Sequence, residues 1–349
     1  MPHARADDSR DPDGMKNLLR TLSLALTSAV TAEFLLGDQY LNGMASAGQQ
    51  FAQLLLFTAF YGSAAVLIRE LARRTGIGWP GILTLALAFG VLEEGVLTQS
   101  LFNPDYAGAH LLGYGFVPWL GTAGPWMVFV LTLHVVWSIG SPIAVMEGAF
   151  GEKPWFRAGW LAVPAVFFVL GGLAIFAVST LTGGFMANGW QWGISALVAL
   201  ALVVVAFTIF PRTAVRRSRI LTTGARKRAG YAASLGVGLV LTVAFQLSQA
   251  LPHSLSPWIA VAGMLVVMVA GILFAFFARP DAVGFGSGAI LTYCSVGLLW
   301  HALPTGPAAV IEQTVIVIVA LAVLALVAVR HLRREHRGAR IAVPAGSPS

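Results

Sequence analysis

The stretch 80–101, PGILTLALAFGVLEEGVLTQSL, decides how this chain folds. Apolar side chains fill most of it, and a helix of about 20 mostly apolar residues spans the hydrocarbon core of a bilayer. Two adjacent glutamates, Glu93 and Glu94, interrupt the apolar run. The stretch therefore predicts a membrane-crossing helix with ionisable groups inside the bilayer, where such groups are expensive and usually functional.

The rest of the chain has the same character. Of its 349 residues, 57% are hydrophobic and 11% are charged, and the mean hydropathy is +0.78. A soluble domain carries about a quarter charged residues, so a water-facing surface could not be built from this composition. Disordered, collagen-like and coiled-coil chains are excluded for the same reason. The single cysteine, Cys294, excludes a disulfide framework and a cysteine-rich metal site.

Ten apolar stretches are long enough to cross a bilayer, so we expect an all-α polytopic membrane protein. Proline and tryptophan mark several boundaries, as at Trp79-Pro80 and Pro257-Trp258, which suits helix starts and the interfacial belt. The expected spans are 17–36, 51–69, 80–101, 125–149, 159–182, 190–211, 230–251, 257–278, 284–303 and 307–329.

The basic residues test this arrangement, because Lys and Arg concentrate in cytoplasmic loops. All 22 of them fall in the two termini and the even-numbered loops, which predicts ten helices with both termini in the cytoplasm. The net charge of +7 then belongs to cytoplasmic loops that face anionic lipid headgroups. The densest basic run, 212–228, has no interleaved aromatic residues, so a nucleic-acid partner is not expected.

The domain organisation follows from the same pattern. Residues 1–16 are polar and are expected to form a disordered cytoplasmic N-terminus, with Met15 as an alternative start. Residues 17–330 form a single transmembrane domain with a basic cytoplasmic loop at 212–229, and 331–349 form a basic cytoplasmic tail. Abundant Ala, Gly, Val and Arg with little Lys favours the cytoplasmic membrane of a bacterium.

The candidate catalytic residues are Glu93, Glu94 and His134. A rise of about 1.5 Å per residue places the three at similar depths in the outer leaflet. Two close carboxylates can hold a proton or activate water, and with a histidine they supply ligands for a divalent metal. Because helix neighbours point about 100° apart, one glutamate is expected to meet His134 while the other faces helix one or ten. The alternative is a hydrogen-bonded clamp between helices.

Further polar residues extend a predicted cavity that opens to the outside. Ser138 and Ser141 follow the histidine at i+4 and i+7, on the same helical face. Glu147 lies near the cytoplasmic end, where Lys153 or Arg157 is expected to reach it. Three more residues lie towards the outer ends of their helices, with contact to interfacial water as their alternative role: Glu33, His301 and Glu312.

The loop between helices three and four is long and carries no Lys or Arg. Asn103-Pro104-Asp105 is a turn signal, and Tyr106 begins a series of aromatic residues. The loop leaves the glutamate-bearing helix directly and returns into the histidine-bearing one. We therefore expect a re-entrant or interfacial lid over the cavity, with an aromatic anchor on the headgroups as the alternative.

The stretch 73–95, RRTGIGWPGILTLALAFGVLEEG, followed by His134 on a later helix, resembles the CPBP group, the CAAX-protease and bacteriocin-processing intramembrane proteases. The resemblance maps the paired glutamates of that family onto Glu93 and Glu94 and its second-motif histidine onto His134. It implies water activated by a glutamate, and an oxyanion or general-acid role for the histidine. Thr98 stands at the arginine position of the family, and Phe129 precedes His134 by five residues instead of four.

Three functions are consistent with these observations. The first is an intramembrane hydrolase of the metallo- or glutamate type that acts on a membrane protein or peptide. The second is a proton-coupled transporter whose entry vestibule is lined by the carboxylates. The third is a non-enzymatic membrane partner subunit, in which the polar residues only hold helices together.

Overall fold

The structure, a computed structural model, describes residues 12–40, 43–210 and 224–341. Within these ranges the chain is helical apart from its connections and one two-stranded ribbon. Nine of the described helices are long and apolar enough to cross a membrane. The first helix falls outside that set, because polar residues such as Asn17 and Arg20 interrupt its apolar run. The fold class is therefore all-α, as expected.

We number the ten helical segments in chain order. Contacts between the connections group them at two ends of the bundle. At one end Arg69 contacts the connection at 151–153, and at the other Tyr114 donates to the Leu255 carbonyl. The end that carries loop 98–123 is the lid end, and the end that carries every described Lys and Arg is the arginine end. The helices are α1 (12–34), α2 (Ala47–Thr75), α3 (Gly78–Leu97), α4 (Gly124–Phe150), α5 (Ala158–Gly183), α6 (Gly189–Thr208), α7 (Gly224–Gln249), α8 (Pro257–Ala278), α9 (Ala282–Thr305) and α10 (Pro307–Ile341).

Local sequence signals set several helix ends. Ser46 and Gln49 form a reciprocal capping box at the start of α2, and Asn188 and Gln191 do the same for α6. Gly76 ends α2 with a φ of +77°, a left-handed conformation that favours glycine. These caps satisfy backbone groups that a helix end would otherwise leave without partners.

Helices α3, α4 and α9 form the centre of the bundle, whereas α5, α6, α8 and α10 surround it and expose large apolar side chains. In the centre, the Trp137 ring stacks on Tyr293 with the centroids 4.4 Å apart. The Trp137 indole nitrogen donates a hydrogen bond of 2.8 Å to the Ala289 carbonyl. The exposed apolar outer helices suit contact with lipid, while the polar residues of interest lie on the inner helices.

Glycines allow α7 and α9 to pack with their backbones in contact. A Cβ atom on Gly284 would lie 2.4 Å from the Tyr231 carbonyl oxygen, and one on Gly288 would lie 2.3 Å from that of Leu235. The two glycines are four residues apart, the spacing typical of close helix pairs in membranes. This contact holds α9 in the centre of the bundle.

A buried ion network ties the arginine end together. Arg69 is fully buried, pairs with Glu70, and places its Nε 3.1 Å from Glu147 Oε1. Its Nη2 donates hydrogen bonds of 2.9 Å to the carbonyls of Gly151 and Lys153. Its guanidinium also lies 3.5 Å from the centroid of the Trp155 ring. The connection between α4 and α5 is thereby anchored to α2.

The expected partners of Glu147 were wrong. Glu147 binds Arg69 and Arg73 of α2, and Arg73 Nε donates to Glu147 Oε1 at 2.7 Å, whereas Lys153 and Arg157 are exposed in the following connection. The reason is the length of α2, which continues beyond the expected end of its span. Both arginines therefore lie on a helix packed beside α4 rather than in a loop.

Three expected boundaries also shift. Helix α1 begins at residue 12, α7 begins at Gly224 and α10 continues to Ile341, so helices enter the N-terminus 1–16, the loop 212–229 and the tail 331–349. Ala, Leu, Lys and Arg are good helix formers, which explains why basic segments extend the apolar helices. The remaining parts of these three segments, 1–11, 212–223 and 342–349, lie outside the described residues.

Candidate functional site

Five helices widen into π-type turns, in which the backbone hydrogen bond runs from residue i+5 to residue i. In α3, the Thr98 nitrogen donates to the Glu93 oxygen at 2.8 Å, and in α1 Leu35 donates to Val30 at 2.7 Å. Such turns are rare and are frequent at functional sites. Each of the five carries an ionisable or hydroxyl side chain, and they are Val30–Phe34, Thr58–Gly62, Glu93–Leu97, His134–Gly140 and Gly297–Ala302.

Two buried glutamates hold one imidazole between them. His134 Nε2 lies 2.7 Å from Glu94 Oε1, and His134 Nδ1 lies 3.3 Å from Glu93 Oε2. The Ser138 hydroxyl is 3.2 Å from the same Nδ1. All three charged side chains are more than nine-tenths buried. We call Glu93, Glu94 and His134 the central triad.

The expectation that only one glutamate would meet His134 was wrong. Both carboxylates contact the same ring, one at each nitrogen. The π-type turn that begins at Glu93 explains the difference, because more residues per turn bring successive side chains closer in direction. A regular α-helix would have separated Glu93 and Glu94 more widely.

Hydroxyl groups fix the second oxygen of Glu94. Its Oε2 accepts hydrogen bonds from the Ser100 hydroxyl and, at 3.0 Å, from Thr98 Oγ1. Ser100 Oγ in turn accepts from Trp126 Nε1 at 3.2 Å. Thr98 therefore holds the Glu94 carboxylate through an uncharged hydroxyl. Both Glu94 oxygens are engaged, so the carboxylate is oriented from two sides.

Tyr61 of α2 holds Glu93, and the sequence analysis missed it. The Tyr61 hydroxyl donates to Glu93 Oε1, and its ring lies nearly parallel to that of His134, with the centroids 6.0 Å apart. The other oxygen, Glu93 Oε2, has no hydrogen-bond partner among the described residues; its contact with His134 is electrostatic. The available signal was a tyrosine in an apolar helix, since a buried phenol needs a polar partner.

Close packing encloses the imidazole. A Cβ atom on Gly90 would lie 3.0 Å from His134 Cβ, so this glycine sets the approach of α3 to α4. The Phe89 ring meets the imidazole edge-on with the centroids 5.8 Å apart, and Phe60 packs against Phe89. Interactions between charges are stronger in such a low-dielectric setting than in water.

Of the other predicted cavity residues, Glu33 approaches the central triad. It lies close to the Tyr61 hydroxyl and interacts electrostatically with His134 and Glu94. Ser138 contacts His134 directly, as described above. Ser141 is buried where α4 packs against Gly286 of α9, away from the triad.

Two predicted cavity residues lie elsewhere at the lid end. Glu312 accepts hydrogen bonds from the Tyr40 hydroxyl at 3.0 Å and from Gln50 Nε2 at 3.1 Å. His301 packs beside Gly37, where an added Cβ would lie 2.8 Å from the histidine Cβ. The structure brings neither residue to the triad. The polar residues around the triad therefore come from α1 to α4, and α10 does not contribute Glu312 to them.

Loop 98–123 is fixed at its start by Gln99, which has a φ of +59° and is buried. Its Oε1 accepts hydrogen bonds from the Ala187 nitrogen at 2.6 Å and from Trp192 Nε1 at 3.4 Å. A left-handed conformation is costly for a residue with a side chain and persists where its surroundings enforce it. Further along, strands β1 (Phe116–Val117) and β2 (Thr122–Ala123) pair as an antiparallel ribbon.

The predicted lid residues have different roles. Asn103 is buried, and its Oδ1 accepts from the Asp105 nitrogen at 3.0 Å, which closes the expected turn. Asp105 is exposed and pairs with His110 at 3.2 Å. Tyr106 interacts electrostatically with Glu93 and Glu94 of the central triad. Burial raises the pKa of its phenol well above the ordinary value, and four nearby carboxylates add to that effect, those of Glu94, Glu33, Glu93 and Asp38.

The central triad is also the group of described residues with the spacing of a metal site. Each residue offers one ligand atom, and these atoms lie within 4.8 Å of one another. Imidazole nitrogen and carboxylate oxygen are suitable donors for Zn²⁺ and related ions. The 2.7 Å contact between His134 Nε2 and Glu94 Oε1 is already a hydrogen bond, so an ion would take the place of the shared proton.

No protein-family model, curated protein or solved structure matches this chain. The resemblance to the CPBP proteases therefore depends on the stretch 73–95 and His134. The functional conclusion depends on the geometry of the central triad.

Proposed function

We propose that this chain is an intramembrane hydrolase whose central triad activates water against a peptide bond of a membrane protein or peptide. The observation that carries the proposal is the buried imidazole with a carboxylate at each ring nitrogen. Burying ionisable groups costs free energy. At the arginine end, paired arginines compensate that cost, whereas the triad contacts no arginine among the described residues. Where the connection after α1 meets α10, the contact is between neutral amides, and Gln39 Nε2 donates to Gln313 Oε1 at 3.2 Å.

The geometry suggests a role for each residue. Glu94, held by hydroxyls, accepts a proton from water, and the resulting hydroxide adds to the scissile carbonyl carbon. His134 Nε2–H then protonates the leaving nitrogen as the C–N bond breaks. The proton held on Glu94 moves to His134 Nε2 across the 2.7 Å contact, which restores both groups. Glu93 and Ser138 orient the ring through Nδ1.

We also propose a topology of ten membrane helices, with both termini in the cytoplasm and the lid end outside. The support is that every described Lys and Arg lies at the arginine end, where anionic headgroups would meet them. Under this proposal the cavity opens to the outer face of a bacterial cytoplasmic membrane. The substrate would be a membrane-embedded peptide segment.

The test compares Glu94→Gln with Glu312→Gln in proteoliposomes that contain a library of quenched fluorescent transmembrane peptides. Both substitutions remove one carboxylate, but Glu312 bonds Tyr40 and Gln50 outside the triad. General acid–base catalysis contributes about 10²–10⁴-fold, so Glu94→Gln should lower cleavage by that factor while Glu312→Gln leaves it intact. Equal cleavage by wild type and Glu94→Gln would refute the proposal.

A proton-coupled transporter is the second candidate, favoured by the carboxylates that approach the triad from the lid end. Below the triad, towards the arginine end, α4 continues with buried apolar residues such as Ile139 and Ile143. A transporter needs a second polar pathway through this apolar region, from the triad to the arginine end. Proton-driven uptake that is lost in a Glu93→Gln/Glu94→Gln double variant, without peptide cleavage by wild type, would favour it. If the chain is instead a partner subunit, Glu94→Gln and the double variant should both lower the level of the protein.

A further inference from the structure

We propose that Asp38 and Glu33 line a water-filled route that admits water and small cations from the lid end to the central triad. The proposal concerns access, so it does not depend on whether the triad is catalytic. It assigns a role to Asp38, which lies in the short connection after α1.

The first observation is where the two carboxylates lie. Both are surrounded by protein and pay a desolvation cost, yet part of the surface of each stays accessible. Their neighbours Phe34, Leu35 and Leu36 are buried. Carboxylates that are enclosed but still reachable by water are typical of residues that line a cavity.

The second observation is that three buried polar atoms have no hydrogen-bond partner among the described residues. One is the hydroxyl of Tyr293, a fully buried residue that interacts electrostatically with Asp38 and Glu33. Another is the amide nitrogen of Gln246, which lies near that hydroxyl. The third is Glu93 Oε2, at the inner end. Buried polar atoms are almost always satisfied, and ordered water is the usual partner where protein supplies none.

The third observation is that polar groups lie in sequence between Asp38 and the triad. The Tyr61 hydroxyl donates to Glu93, Glu33 lies close to the same hydroxyl, and Asp38 follows Glu33 by five residues and interacts with it electrostatically. The backbone shapes the outer step, because Gly37 has a φ of +96° and its nitrogen donates to the Glu33 oxygen at 3.1 Å.

The charge of the lining carboxylates determines which ions the route admits. Four carboxylates face it, and at the lid end of the described residues there is no Lys or Arg to balance them. Among the described residues, His134 is the basic group that contacts two of them, Glu93 and Glu94. A cleft lined by one sign of charge raises the local concentration of counter-ions by about 10–10³-fold. The route should therefore favour cations over anions.

Thiol labelling tests the route directly, because Cys294 is the single cysteine of the chain and is buried. In a Cys294→Ala background, Asp38→Cys and Glu33→Cys are placed on the route. Leu36→Cys, on a buried neighbour, is the matched control in the same segment. Reconstituted protein is treated from each side of the bilayer with a trimethylammonium methanethiosulfonate and with a sulfonate methanethiosulfonate.

We expect both route cysteines to react from the lid end, at least about tenfold faster with the cationic reagent than with the anionic one. Leu36→Cys should stay unmodified, and adding Glu33→Gln to Asp38→Cys should reduce the charge preference. The proposal is overturned if neither route cysteine reacts, if they react only from the arginine end, or if the two reagents react equally. Two positions are used so that one folded variant is enough to decide. If the route cysteines are labelled as expected but the wild-type protein cleaves no peptide, the route proposal stands and the hydrolase proposal fails.

Discussion

Replacing Arg69 with methionine should destabilise the whole bundle, although Arg69 lies far from the triad. Methionine preserves much of the apolar stem and removes the guanidinium. The guanidinium is fully buried, so its two carbonyl partners and two carboxylate partners lose a donor that water does not replace. Breaking a buried ion pair by removing one partner costs about 3–5 kcal/mol.

The remaining contacts of the carboxylates set the magnitude within that range. Glu147 keeps Arg73, and Glu70 keeps Arg74 and the Trp155 backbone nitrogen at 3.0 Å. Neither carboxylate is left wholly unpaired, which favours the lower part of the range, about 3 kcal/mol. For a large domain, 1 kcal/mol corresponds to about 2 °C in Tm, so we expect a loss of about 6 °C.

The assay uses the buried cysteine of the chain. A maleimide dye that fluoresces on reaction reports when Cys294 becomes exposed during heating of the detergent-solubilised protein. The matched control is Arg157→Met, an exposed arginine on the connection that Arg69 anchors. Its effect should stay within about 0.5 kcal/mol, or 1 °C. If Arg69→Met lowers Tm no more than Arg157→Met, the ion network does not stabilise the fold and the reasoning is wrong.

Three further predictions concern single contacts. Tyr61→Phe removes the hydroxyl that donates to Glu93 and should cost about 1.5–3 kcal/mol in the same melting assay; an unchanged Tm would argue against this hydrogen bond. Gly90→Ala places a methyl group 3.0 Å from His134 Cβ, so it should lower peptide cleavage more than Gly193→Ala, whose site on α6 is open; equal rates would contradict this. Asp281→Asn keeps the helix cap but removes a charge. Burial opposes ionisation of Asp281, but the hydrogen bond from its histidine partner and further contacts prevail and lower its pKa from 3.8. Its stabilisation is therefore present above pH 3.8 and is lost as the pH falls through the lowered pKa, so the wild-type Tm should exceed that of the variant at pH 7 and equal it in strong acid. A constant difference would contradict this.

The membrane helices could be predicted because hydropathy is a local property. A run of about 20 apolar residues identifies a span wherever it later packs. The residues of the triad could be found in the same way, since an ionisable group in an apolar run is conspicuous whatever its partner. Glu93, Glu94 and His134 were therefore visible in the sequence before any contact was known.

The partners of these residues could not be predicted, because each one comes from another helix or depends on a local change of helix geometry. Tyr61 meets Glu93 only because α2 packs beside α3, and Arg73 meets Glu147 only because α2 continues beyond its expected span. The turn at Glu93 is of the π type, which no residue pattern in the sequence indicated.

The amino-acid order thus fixed the class of fold, the approximate spans and the three ionisable residues at the centre, because these depend on free energies of transfer of individual side chains. Packing decided that both glutamates share one imidazole, that hydroxyls rather than an arginine hold Glu94, and that His301 and Glu312 stay apart from the triad. Such choices depend on the distance and angle between helices far apart in the chain, and hydropathy carries no information about either.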